Sequence, residues 1–151
     1  MYRELHAQSK ALFAGENDPT ANAANLAAQL FWGLPDLNWA GFYFLRDDEL
    51  VLGPFQGKVA CVRIAMGKGV CGTAALRRET IIVPDVHAFP GHIACDSASQ
   101  SEIVIPLVQG ERLWGVLDLD SPKLDRFHAA DAAGLEACAR EYRGSSDFSK
   151  L

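Results

Sequence analysis

The chain has 151 residues, 49% of them apolar and 22% charged, with a formal charge of −5. That is the balance of a water-soluble domain of ordinary size, long enough to bury a core. The negative charge, with no basic cluster interleaved with aromatics, argues against nucleic acid or an anionic membrane as partner. The opening residues MYRELHAQSK lack the apolar stretch of an export signal, and no apolar run is long enough to span a bilayer. A single cytoplasmic domain is therefore expected.

A short helix is expected near Tyr2 to Phe13. The next is better signalled: Asp18 can cap, Pro19 suits the first helical position, and Ala23, Leu26, Ala27, Leu30, Phe31 and Leu34 form one apolar stripe that ends at Pro35. Strands follow from Trp39 to Leu45 and from Glu49 to Gly53, joined at Asp47-Asp48 as a hairpin. A third strand, Val59 to Ala65, carries Cys61. After the turn Gly67-Lys68-Gly69, residues Val70 to Arg78 read as a helix with Cys71 in its first turn. Thr80 to Val83 is a short strand ended by Pro84. Residues 85 to 101 show no period, and irregular loops of that length are often functional. Two more strands, Glu102 to Val108 and Arg112 to Asp120, flank Gly110. A last helix spans about His128 to Tyr142 with Cys138 on its core face, and the tail GSSDFSKL is expected to be mobile. The core of the domain is thus about 19–142, and the class is α+β: a central antiparallel sheet of about six strands with N- and C-terminal helices packed on it.

The chemistry concentrates in three cysteines, Cys61, Cys71 and Cys95, and three acids, Glu102, Asp118 and Asp120. The cysteine spacings contain no C-x-x-C pair, so a structural zinc site is not expected, and no cofactor is called for. Alternation along a strand points Asp118 and Asp120 the same way, with Trp114 and Val116. A three-residue loop Val108-Gln109-Gly110, with Gly110 left-handed, would pair even-numbered residues and bring Glu102 to the same face, whereas a two-residue loop would send it to the other. Three crowded carboxylates repel, so at least one should hold a proton near neutrality, or the face should bind a cation such as an ammonium group. The bland reading is that Asp118 and Asp120 merely end a strand. A helix dipole at Cys71 favours its thiolate, while Cys95 lies in the long loop and Cys61 on a strand. A mobile thiol with a fixed partner is what disulfide-forming catalysis requires. Trp39 and Tyr43 share a strand face and read first as core. The loop histidines His87 and His92 read as polar surface.

The segments NWAGFYFL, ACVRIAMGKGVCGTAA, VPDVHAFPGHIACDSASQSEIVIPL and GVLDLDSP closely resemble the free methionine-(R)-sulfoxide reductases, stand-alone GAF-domain enzymes, over roughly residues 20 to 142. The resemblance implies a GAF fold and reduction of free, not peptide-bound, methionine (R)-sulfoxide. A thiolate would attack the sulfoxide sulfur while a carboxylic acid protonates the oxygen. The resulting sulfenic acid would condense with a second cysteine, and a thioredoxin-like donor would reduce the disulfide. By motif, Cys95 is the nucleophile, Cys61 its resolving partner and Cys71 an auxiliary thiol. Glu102, Asp118 and Asp120 would bind and protonate the sulfoxide or hold the ammonium, and Trp39 and Tyr43 would wall the methyl pocket. A homodimer is compatible with the N-terminal helix. The rival readings are a non-catalytic GAF sensor of a small ligand and a redox switch.

Overall fold

The computed structural model describes residues 1–92 and 95–151; Ile93 and Ala94, inside the long loop expected at 85–101, lie outside the described residues. Helices α1 (Tyr2–Phe13) and α2 (Pro19–Gly33) come first. The start of α2 follows from its sequence. The Asp18 carboxylate accepts the Ala21 N–H at 2.8 Å, and Pro19 occupies the first turn, where a missing N–H costs nothing. Ala23, Leu26, Ala27 and Leu30 are the stripe that faces inward.

The strands β1 (Trp39–Arg46), β2 (Glu49–Gly57), β3 (Arg63–Ala65), β4 (Ile81–Val83), β5 (Ser101–Gln109) and β6 (Arg112–Ser121) form one antiparallel sheet in the order β3-β2-β1-β6-β5-β4. Helix α3 (Gly69–Arg77) follows β3, and α4 (Ala129–Ser145) follows β6. The expected α+β architecture is the one observed. Asp47 and Asp48 both take positive φ between Arg46 and Glu49, the backbone that a two-residue hairpin needs. Strand β2 runs four residues further than expected because a register shift opposite Phe42 absorbs Gly53-Pro54, where the proline's missing N–H breaks no ladder bond.

The sheet separates two cores. On one face Phe42, Phe44, Ile103, Ile105, Leu117 and Leu119 pack against α1, α2 and α4, including Leu135, Cys138 and Tyr142. On the other, Trp39, Tyr43, Val104 and Val116 meet α3 through Val70, Cys71, Ala74 and Ala75. Neighbouring residues of a single strand serve opposite faces, so the register of β6 decides what each face contains.

That register arises differently from the expectation. The β5–β6 loop has two residues, Gly110 and Glu111, since Gln109 pairs with Arg112 and Val108 with Leu113. Continued unbroken, this pairing would turn Glu102 away from the aspartates. A bulge at Trp114 intervenes, so that Leu107 pairs with Gly115 and Glu102 with Asp120. Gly115 carries φ +155°, and a Cβ there would run into the Tyr43 carbonyl oxygen. Glycine is therefore obligatory at the bulge. The bulge also moves Trp114 off the aspartate face: it packs on the helical core and stacks on Phe148, ring centroids 4.8 Å apart.

Two further expectations are corrected. The third strand is only Arg63–Ala65, and Cys61 lies before it. Residues 58–61 run outside the sheet, and side chains take two of their carbonyls: Trp39 Nε1 donates to Lys58 O at 3.1 Å and the Tyr43 hydroxyl to Cys61 O at 2.8 Å. The tail is held rather than loose. Phe148 is buried in a short 3₁₀ turn (Phe148–Lys150), the Asp147 N–H donates to Asn17 O at 2.8 Å, and Lys150 Nζ reaches Asn17 Oδ1 at 2.7 Å. The apolar contact under Phe148 comes from residues distant in sequence, which is why local composition suggested a free end.

Candidate active site

Across the β5–β6 pair Glu102 faces Asp120 and Val104 faces Asp118, while across β1–β6 Trp39 faces Asp120 and Gly41 faces Asp118. Directly opposed residues sit about 5 Å apart at Cβ, so three carboxyl groups share one small area of sheet. Gly41 keeps that area open, since a Cβ there would press into the Trp39 ring and Phe55. Trp39 stacks between Tyr43 and Phe55, at 5.9 and 5.3 Å, forming an aromatic wall.

Trp39, Tyr43, Glu102, Asp118 and Asp120 line a cavity of about 50 Å³ together with Val59, Ala60, Ile64, Lys68, Gly69, Val70, Cys71, His92, Cys95, Asp96 and Ser99. The Cys61–Cys95 disulfide joins the segment before β3 to the long loop, with Cα atoms 5.7 Å apart. Cys95 is exposed and Cys61 partly so. Typical ligand pockets hold roughly 300–1,000 Å³. In the disulfide-bonded state the cavity over the acids is smaller than that range.

Burial sets the electrostatics. Glu102 and Asp118 are buried and Asp120 is nearly so. Loss of solvent, then the charges of Asp118 and Asp120, pushes Glu102 well above the usual carboxylate range. Burial and the Asp118 charge do the same to Asp120. Asp118 is raised by burial as well, but hydrogen bonds from Glu102 and Cys71 pull it back. Its Oδ1 is buried without a hydrogen-bond partner, an acceptor aimed at the cavity. A cluster in which one carboxylate carries charge while its neighbours carry protons can both hold a cation and donate a proton.

Cys71 departs from the dipole argument. It does stand in the first turn of α3, but burial and then the charges of Asp118, Glu102 and Asp120 drive its pKa well above the ordinary thiol value. Its Sγ lies 4.0 Å from Glu102 Oε2 as a free, protonated thiol. Cys71, Glu102 and Asp118 place donor atoms within 4.8 Å of one another, a spacing a cation accepts. The burial that keeps Cys71 and Glu102 protonated makes them weak ligands, because a metal must first displace those protons.

The structure thus brings Cys61, Cys71, Cys95, Glu102, Asp118, Asp120, Trp39 and Tyr43 to one place. Sequence reasoning read His92 as polar surface, whereas it lines the cavity and is held below its ordinary pKa by burial and by His87. It also missed Asn38, whose Nδ2 donates to Asp96 Oδ2 at 3.2 Å and Ser99 Oγ at 3.1 Å, tying the loop beyond Cys95 to the start of β1. Only the position of His92, three residues before Cys95, hinted at either.

Comparison with known proteins agrees with this geometry. The family model for the GAF domain matches residues 19–142. The chain is 56% identical to the free methionine-R-sulfoxide reductase of Escherichia coli K12, over 99% of this chain and 93% of that one. It is 49% identical to the protein of the same name from Saccharomyces cerevisiae, over 85% and 74%. Among solved structures, free methionine-R-sulfoxide reductase from Neisseria meningitidis in complex with its substrate superposes with a TM-score of 0.93 at 46% identity, covering 96% of this chain and 87% of that one. The chain belongs to the GAF-domain family of free methionine-R-sulfoxide reductases.

Proposed function

We propose that this protein reduces free methionine (R)-sulfoxide to methionine, with Cys95 as nucleophile and Cys61 as its resolving partner. The observation that carries the reading is the Cys61–Cys95 bond lying over a cluster of three acids, whose burial favours their protonated form. In the reduced state the Cys95 thiolate attacks the sulfoxide sulfur. A protonated Glu102 or Asp120 gives its proton to the sulfoxide oxygen, whose growing negative charge a neutral acid stabilises better than a carboxylate does. Cys95 becomes a sulfenic acid as methionine leaves, and the Cys61 thiol displaces its hydroxyl as water. In balance, two thiols supply two electrons and two protons, the sulfur is reduced, and the oxygen ends in water.

Recognition of a free amino acid follows from the same groups. The unpartnered Asp118 carboxylate suits the substrate ammonium, which a peptide bond would remove. Trp39 and Tyr43 wall the S-methyl end, where Tyr43 stays a neutral phenol because burial and the Asp118 charge raise its pKa. Cys71, buried and outside the disulfide, shapes the acid cluster and stands by as an auxiliary thiol. A thioredoxin-like dithiol regenerates the enzyme. Among the described residues no helix is long and apolar enough to cross a membrane. The expected donors are abundant in a reducing cytoplasm, the compartment this reading assigns. A homodimer through the N-terminal helices is compatible with this site.

The test is methionine release from free methionine (R)-sulfoxide by the reduced protein with excess dithiol, compared with the (S) epimer and with a peptide-bound sulfoxide. The reading predicts turnover of the first alone, and its loss in Cys95→Ser. Binding without product would instead favour a sensor. Peroxide-driven oxidation with no response to sulfoxide would favour a redox switch.

A further inference from the structure

The reactive bond is bracketed by side chains that folding leaves uncovered. Val59 is 87% exposed and Val62 61%, on either side of Cys61. A lone exposed valine is unremarkable, but these two flank a cysteine of the disulfide. Their outward pose is enforced: the Lys58, Cys61 and Val62 carbonyls accept from the Trp39 indole, the Tyr43 hydroxyl and the Leu52 N–H, the last at 2.9 Å. Those bonds fix the backbone of the segment, so it stays exposed and ordered at once. Charge marks the same stretch. From Gly57 to Gly69 the chain carries Lys58, Arg63 and Lys68 and no acid, against an overall charge of −5. Arg63 is neutralised by Glu49 at 2.6 Å, whereas Lys58 and Lys68 make no ion pair among the described residues.

We propose that Val59, Val62 and Lys58 form the docking surface for the protein dithiol that reopens the Cys61–Cys95 bond. The partner that fits carries an apolar, acid-rimmed face around its own thiol pair. This deepens the reading given above and rests on it, since the bond must form in each turnover. The exchange balances without a further reagent. The partner's thiolate attacks one disulfide sulfur, and the S–S bond breaks with its electron pair leaving on the other. The partner's second thiol then closes the partner's own disulfide and releases the enzyme. Two electrons and two protons pass to Cys61 and Cys95. A small dithiol needs only access to the sulfurs. A protein must seat its surface around them, so the apolar and basic collar matters to the protein alone.

The experiment compares two reductants on the same variants. Val59 borders the cavity, so it is left intact, and the changes are Val62→Asp and Lys58→Glu, singly and together, both on exposed side chains. Turnover of free methionine (R)-sulfoxide is driven either by dithiothreitol or by a thioredoxin recycled with NADPH and its reductase. The double variant should lose at least tenfold in kcat/KM for thioredoxin, through a raised KM, while the dithiothreitol rate stays within twofold. The thioredoxin KM of the unaltered protein should also rise with salt. Equal losses with both reductants, or no loss with either, would overturn the docking surface. So would an unaltered protein that dithiothreitol drives and thioredoxin does not. Variants that change the oligomeric mass and neither rate would assign the collar to a second copy of the chain, again overturning the proposal. No turnover of the unaltered protein with either reductant would instead sink the reductase reading beneath it.

Discussion

The two faces of the sheet are made from alternating residues of the same strands, yet they solve opposite problems. On the helical face Leu117 and Leu119 are fully buried among Ile103, Ile105 and Phe42, and each such side chain contributes roughly 1.5–3 kcal/mol by leaving water. On the other face their neighbours Asp118 and Asp120 are buried with Glu102, where burial of an ionised carboxylate is costly and is relieved by keeping protons on. One side supplies stability and the other spends part of it on a cluster poised for proton transfer. The covers differ in kind as well. Three helices seal the apolar face, whereas α3 and two irregular segments cover the acids, and those segments are what the disulfide ties together.

The contrast can be broken most severely at sulfur. Cys95→Ser should leave under 1% of multiple-turnover activity, measured as methionine release, with the melting temperature little changed. Cys61→Ser should keep the first reduction but stop recycling through the disulfide. Next come the acids: Glu102→Gln, Asp118→Asn and Asp120→Asn should each lower turnover by tenfold or more, a loss of roughly 1.4 kcal/mol of transition-state stabilisation at least, without unfolding the chain. Near-normal rates in all three would reduce the cluster to a strand end.

The helical face should answer in the other currency. Leu117→Ala should cost about 2–5 kcal/mol in chemical denaturation while activity per folded molecule stays within about twofold. The two faces should also respond differently to pH. Because the folded state raises the pKa of Glu102 and Asp120, their contribution is fullest with protons on, below the ordinary carboxylate value of about 4. It is lost as pH rises through the raised folded-state values. Stability and turnover should therefore both decline towards alkaline pH, and Glu102→Gln should melt higher than the unaltered protein there. A cluster that titrates as ordinary carboxylates would show no such rescue. The smallest effect is expected for Cys71→Ser, a few-fold at most, since Cys71 lies outside the disulfide.

How much of this was legible in the chain varied by the range of the forces involved. Helix α2 was readable because its cap, its proline and its stripe are local. The placement of Glu102 beside the aspartates was foreseen on a three-residue loop, but it comes from a two-residue loop corrected by the bulge at Trp114. Gly115, a glycine inside an apolar strand, was the available signal. The position of Cys61 was misjudged as strand because the bonds from Trp39 and Tyr43 that hold the Lys58 and Cys61 carbonyls join distant parts of the chain. Cys71 was misjudged because a dipole argument counts the helix and ignores the acids that the fold sets against it. The pairing of Cys61 with Cys95 followed from family resemblance, since spacing alone left every pairing open.

The most direct test of the account is a single-turnover experiment. Reduced protein, freed of all reductant, is mixed with an equal amount of free methionine (R)-sulfoxide; methionine is quantified and the disulfides are mapped by mass spectrometry. Sulfhydryl chemistry above a reservoir of carboxylic protons predicts one methionine for every Cys61–Cys95 bond formed, with a rate that falls in Glu102→Gln. Methionine appearing with both thiols still free, or a bond formed with no methionine released, would contradict it.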